Sequence, residues 1–168
     1  MKLNKQNLVW GLIVAGVLSR WLPHPPNVTA VAASALFAGM AVHSRWQALF
    51  VPLIVLFLSD LVLGFHTSMW AVYLAMLVPV VLGYRLKSDF SWGRLTSYSL
   101  VSSLSFFLLT NFAVWLAEGL YSHSLQGLQQ CYVMALPFFG YETLGDLFFS
   151  GVLFGLWKVI PEAKTVTA

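Results

Sequence analysis

The sequence predicts an all-α integral membrane protein, a single bundle of six transmembrane helices with both termini on the cytoplasmic side. Three observations carry this. Hydrophobic residues make up 59% of the 168-residue chain and charged residues only 9%, whereas a soluble domain carries about 25% charged residues. The mean hydropathy of +0.79 belongs to a chain that cannot cover itself with polar groups in water. The apolar residues also gather into runs near the roughly 20 residues that cross a bilayer, and the basic residues fall between those runs in an alternating pattern.

The length implies one domain, residues 1–168. The first apolar run covers about 8–22 and stops at Pro23-His24-Pro25-Pro26, where a helix cannot continue. No small-residue cleavage site and soluble domain follow it, so it reads as a retained first helix and not as a signal peptide. A second, Ala- and Gly-rich run at about 28–43 is expected to be capped by Asn27 or Thr29. Further spans are expected at about 46–64, 68–84 and 95–119. The last apolar stretch is too long for one span. Pro137 and Gly140 predict its division into a short outer helix at about 125–136 and a sixth span at about 139–159.

Charge sets the orientation. With six spans and the N-terminus inside, Lys2, Lys5, Arg45, Arg85, Lys87, Arg94, Lys158 and Lys164 are cytoplasmic. Only Arg20, of the nine Lys and Arg residues, falls outside. An odd number of spans breaks this positive-inside pattern. The net charge of +3 therefore reflects membrane anchoring, and nucleic acid is not an expected partner. A single cysteine, Cys131, excludes an internal disulfide and any cysteine-cluster metal site.

The same topology places His24, His66, His123, Asp60, Glu118, Glu142 and Asp146 toward the outer face. Acids deep in a span cost about 2.5–3.5 kcal/mol on insertion scales, so they face a cavity or a partner. Glu142 and Asp146, four residues apart, share a helix face. Arg20 paired with Asp60 or Asp146 either clamps the bundle or floors a polar pocket. Asn111 serves as interhelical glue or as a ligand contact. The stiff 20–27 loop and the longer 118–132 segment, rich in Gln, Tyr and His, suit a binding surface and a lid. Tyr and Trp at that depth also form an ordinary aromatic belt. Gly11, Ala15 and Ser19, at four-residue spacing, make a small-residue stripe for packing against a partner helix. No Gly-rich phosphate loop, paired-histidine metal motif or nucleophile elbow is present.

Arg20-x-Leu-Pro-His-Pro-Pro-Asn27, Ser59-Asp60-Leu61-x-x-Gly64, Thr110-Asn111-Phe112-x-x-Trp115, Cys131-Tyr132, Pro137-Phe138-Phe139 and Gly145-Asp146 resemble a family of small bacterial membrane proteins related to the S-components of energy-coupling-factor (ECF) transporters. That resemblance implies a multi-pass protein of the bacterial inner membrane that binds a vitamin or vitamin-like solute at its outer face. It implies either a coupling subunit with two ATPases or solitary action. Within the superfamily the chain is most similar to the BtuM-type solitary cobalamin transporters, which makes cobalamin the leading substrate and no intrinsic cofactor expected. The cysteine that ligands cobalt in some of those proteins has no counterpart in the 3–4 connection, which leaves His24, His66 or Cys131 as candidate cobalt ligands.

The expected ligand-binding set is Arg20, His24, Asn27, Asp60, His66, Tyr73, Asn111, Trp115, Tyr132 and Asp146. Two rival readings stand beside uptake. One is a small intramembrane enzyme using Asp60, Asp146 and a histidine for acid–base or metal chemistry. The other is a scaffold subunit in which the same charges are only a structural network.

Overall fold

A computed structural model describes residues 5–159 of the chain, and Lys2 and Lys164 lie outside that range. Among the described residues every regular element is an α-helix: α1 (Lys5–Trp21), α2 (Val31–Ala41), α3 (Arg45–Leu63), α4 (Met69–Ala75), α5 (Leu77–Ser88), α6 (Trp92–Ala117) and α7 (Leu125–Val159). Among the described residues three stretches are long and apolar enough to cross a membrane, namely Arg45–Leu63, Met69–Ser88 and Trp92–Ala117. They make this a helical membrane protein. Val14, Leu18, Phe50, Phe57, Leu104, Leu108 and Phe148 point outward from the bundle. Lipid solvates such a surface, which in water would be an aggregation patch.

Six equivalent spans are not what these residues present. Helix α2 has only 11 residues, or about 16 Å at about 1.5 Å per residue, against a hydrocarbon core of about 30 Å. Every residue from Val31 to Met40 is buried, and α2 touches α1, α3, α5, α6 and α7. It is the axis of the bundle. The α2–α5 crossing is the tightest because Gly39 and Gly83 face each other. A Cβ on Gly39 would run into the Val80 carbonyl, and one on Gly83 into that of Leu36. Gly16 similarly admits Val55 of α3 against α1.

Other boundaries also differ from expectation. The 68–84 span is two helices, α4 and α5, meeting at Met76. Helix α7 runs unbroken through Pro137 and Gly140 for 35 residues, so the outer and inner segments are one element. Proline removes one backbone hydrogen bond, and in lipid the remaining ladder and neighbouring helices keep such a helix intact. Neither Asn27 nor Thr29 caps α2. Ala30 holds the N-cap position without a side-chain cap bond, and its N–H donates to Ser19 Oγ of α1 at 3.0 Å. Ser19 is thereby turned toward α2, whereas Gly11 and Ala15 are exposed and Gly11 has nothing within 4 Å of a Cβ position. The expected stripe is split between an inner and an outer face.

The two ends of the bundle differ in chemistry. At one end, aromatics pack around Phe154: Phe37 edge-on at 5.1 Å and Phe90 stacked at 5.9 Å. Lys158 lies 4.4 Å from the Phe90 ring centre, and Tyr84 OH donates to the Arg45 carbonyl at 2.7 Å. The other end, where α1, α3 and α6 finish and α2, α4 and α7 begin, holds the buried acids.

Candidate functional site

Arg20 sits in the last turn of α1, where a cation is favoured by the helix dipole. Its guanidinium lies 2.7 Å from Asp60 Oδ1 on α3 and also donates to Ser59 Oγ and, at 3.4 Å, to the Leu56 carbonyl. Ser59 Oγ is held in place by donating to the Val55 carbonyl at 2.7 Å. On the other side of the carboxylate, Tyr73 OH of α4 donates to Asp60 Oδ2 at 3.0 Å. One network thus joins α1, α3 and α4.

A second polar seam joins α6 to α7. Ser103 donates to Asp146 Oδ2 at 2.7 Å, and Ser99 donates to Ser150 at 2.9 Å. One turn before Asp146, Glu142 is 4% exposed, and its Oε1 is buried with no hydrogen-bond partner. A buried carboxylate oxygen without a partner is costly.

At the rim, the Ser68 N–H donates to Glu118 Oε1 at 2.9 Å. His66 Nδ1 lies 3.1 Å from Ser68 Oγ and 3.8 Å from Glu118. Hydrogen bonding from the Ser68 side chain and then its backbone holds the Glu118 carboxyl below the usual carboxylate range, and the nearby His66 acts in the same direction.

Arg20, Asp60, His66, Ser68 and Glu142 of these groups line a cavity of about 350 Å³. Its polar lining includes Arg20, Asn27, Asp60, His66, Asn111 and Glu142, and Phe106, Phe107, Phe138 and Phe139 supply aromatic surface. Phe107 and Phe139 pack with ring centres 4.7 Å apart. A smaller cavity of about 90 Å³ shares Arg20, Asn27, Phe106 and Glu142 with it, and adds Asp146, Thr29 and the first residues of α2. Asn27, with φ of 63°, is the one non-glycine described residue in the left-handed region, where Asn is among the best tolerated.

Five of the expected residues therefore meet in one cavity: Arg20, Asn27, Asp60, His66 and Asn111. Asp146 reaches only the smaller one. Tyr73 braces Asp60 from behind. His24 is not brought to the site. It is exposed, with Nδ1 2.7 Å from the Pro25 carbonyl. Trp115 Nε1 donates to the Ser122 carbonyl at 2.9 Å and packs on His123, which fixes the 118–124 loop. Tyr132 OH donates to the Leu108 carbonyl at 2.7 Å. The buried Cys131 thiol donates to the Asn111 carbonyl at 3.3 Å. Of the three candidate cobalt ligands, His66 lines the cavity, whereas His24 and Cys131 do not; no group of three or more His, Cys, Asp or Glu suited to a metal ion exists among the described residues. Glu142, Phe106, Thr110, Phe138 and Phe139 line the cavity without having been among the expected contacts. Glu142 carried a signal in its four-residue spacing from Asp146, and Thr110, Phe138 and Phe139 fell within the motifs that carry the family resemblance.

The chain belongs to the family of unknown function DUF6580, whose model matches residues 1–168. No curated protein and no solved structure matches it.

Proposed function

We propose that this protein is a solute-binding membrane subunit, similar in role to an ECF S-component, that takes up a vitamin-like compound through a pocket on its outer face. On this reading the chain crosses the bacterial inner membrane six times with both termini in the cytoplasm. The observation that carries the proposal is the 350 Å³ cavity, in which Arg20, Asn27, Asp60, His66, Asn111 and Glu142 converge at one end of an otherwise apolar bundle. Ligand pockets span about 300–1,000 Å³ and combine mostly apolar walls with a few convergent polar groups; this cavity has both features. Its volume suits a compact solute. Cobalamin, the larger candidate, would have to sit across the mouth with only a peripheral group inside. Energy comes either from a separate coupling subunit with ATPases or from the solute gradient, since the sequence carries no phosphate-binding loop.

Small molecules carried through purification, identified by mass spectrometry, test the proposal together with calorimetric titration of a vitamin panel that includes cobalamin. A co-purifying solute that rebinds the stripped protein, and that Asn111→Ala weakens, is the expected result. A correctly folded protein that binds nothing across the panel overturns it.

A further inference from the structure

We infer that the solute of this pocket carries an organic cation, an ammonium or an alkylated ring nitrogen, received by Glu142 and the phenylalanine wall. The inference rests on the solute-binding reading above and names the chemical class.

The acids around the cavity are unequally partnered. Arg20 is committed to Asp60, Ser59 and the Leu56 carbonyl. Asp146 has only the neutral hydroxyl of Ser103, and Glu142 Oε1 has no partner. At the rim, His66 faces Glu118, a further acid. The first turn of α2 borders the smaller cavity, but a helix N-terminus contributes only about half a positive charge. Two carboxyl groups, those of Glu142 and Asp146, thus lack a cationic partner, and Glu142 lines both cavities at 4% exposure.

Aromatic rings flank Glu142, two of them within one turn of it on α7. Phe106, Phe107, Phe138 and Phe139 border the same cavity as Glu142. A ring face attracts a cation electrostatically, most strongly where water is excluded, and paired aromatic faces recognise alkylated ammonium groups. A bare metal ion finds no such match, because no three-donor group exists among the described residues. An organic cation suits both kinds of group: its charge pairs with the carboxylate and its alkyl or aromatic body lies on the rings. An anionic solute would meet Glu142 with Arg20 already engaged.

The full chain in lipid nanodiscs is titrated with choline, a benzylammonium salt and an N-methylpyridinium salt, each beside its uncharged isostere. At least one cation is expected to bind about tenfold or more tightly than its isostere. Glu142→Gln is expected to erase that preference, and Phe139→Leu to weaken cation binding more than isostere binding. Isosteres that bind as tightly as the cations, or a preference that survives Glu142→Gln, overturn the inference while leaving solute binding intact. Absence of binding by this panel and by the vitamins overturns both. If Glu142→Gln does not fold, the wild-type comparison and Phe139→Leu decide.

Discussion

Asp60 is held at both oxygens, by Arg20 at Oδ1 and by Tyr73 at Oδ2. Its side chain is 4% exposed and that of Arg20 19%, so each charge depends on the other for compensation. Removing one partner of a buried pair typically costs about 3–5 kcal/mol, whereas replacing both by apolar residues of similar volume is often neutral. Asp60→Leu and Arg20→Met should therefore each destabilise the protein by several kcal/mol, and the double variant by much less. Unfolding in detergent, followed by helical circular dichroism across the cycle, measures this. Additive losses would show that the two residues act independently and sink the clamp. Ligand affinity in the double variant separates structure from recognition. If binding survives, the solute is read by Glu142, Asn27 and Asn111, and the Arg20–Asp60 pair only fixes the mouth of the pocket. Glu142 differs from Asp60 in this respect, because it shows a buried oxygen with nothing bound to it.

At the scale of the helices, the contact between α2 and α5 is the least forgiving. The obstacle to a Cβ at Gly39 or Gly83 is backbone of the facing helix, which cannot move aside as a side chain does. Overpacking a core ordinarily costs about 1–3 kcal/mol. Gly39→Ala and Gly83→Ala should reach or exceed the top of that range and lower the yield of folded protein. Gly151→Ala on α7, where a Cβ meets open space, should be neutral or stabilising by up to about 1 kcal/mol. Equal melting temperatures for all three variants would contradict this packing. The glycine pair was not readable in advance, since spacing along one helix says nothing of which residue of another helix it meets. Helix existence and approximate limits were readable, because apolar runs and prolines act locally: α3 spans Arg45–Leu63 against an expected 46–64. Pro137 misled, because a missing hydrogen bond ends a helix in water but not one braced by neighbours in lipid. The α2 cap was illegible for a similar reason. Its donor is satisfied by Ser19, eleven residues back on another helix.

At the scale of the whole molecule, the short axial helix explains why the pocket exists. Because α2 is about half the length of a span, the chain stays exposed from Pro23 to Asn27 and enters the bundle only over Val28 to Ala30. Space is left above its first turn, where Asn27, Thr29 and Glu142 meet. The pocket's chemistry was legible as a set of polar residues out of keeping with an apolar chain, but their grouping was not. His24 and Trp115 looked equivalent to Asn27 and Asn111 in sequence, yet the loop turns His24 outward and the Ser122 carbonyl engages Trp115. The outward orientation proposed for the pocket rests on charge alone, and it can be tested directly. In a Cys131→Ala background, cysteines are placed singly at Thr67 and Gln126, near the polar end, and at Ser88, near the aromatic end; all three positions are exposed. The positive-inside bias predicts that a membrane-impermeant maleimide added to intact cells labels Thr67→Cys and Gln126→Cys, and labels Ser88→Cys only after the cells are opened. Labelling of Ser88→Cys alone in intact cells would invert the molecule. The polar cavity would then open to the cytoplasm, and uptake by capture at the outer face would have to be abandoned whatever the pocket binds.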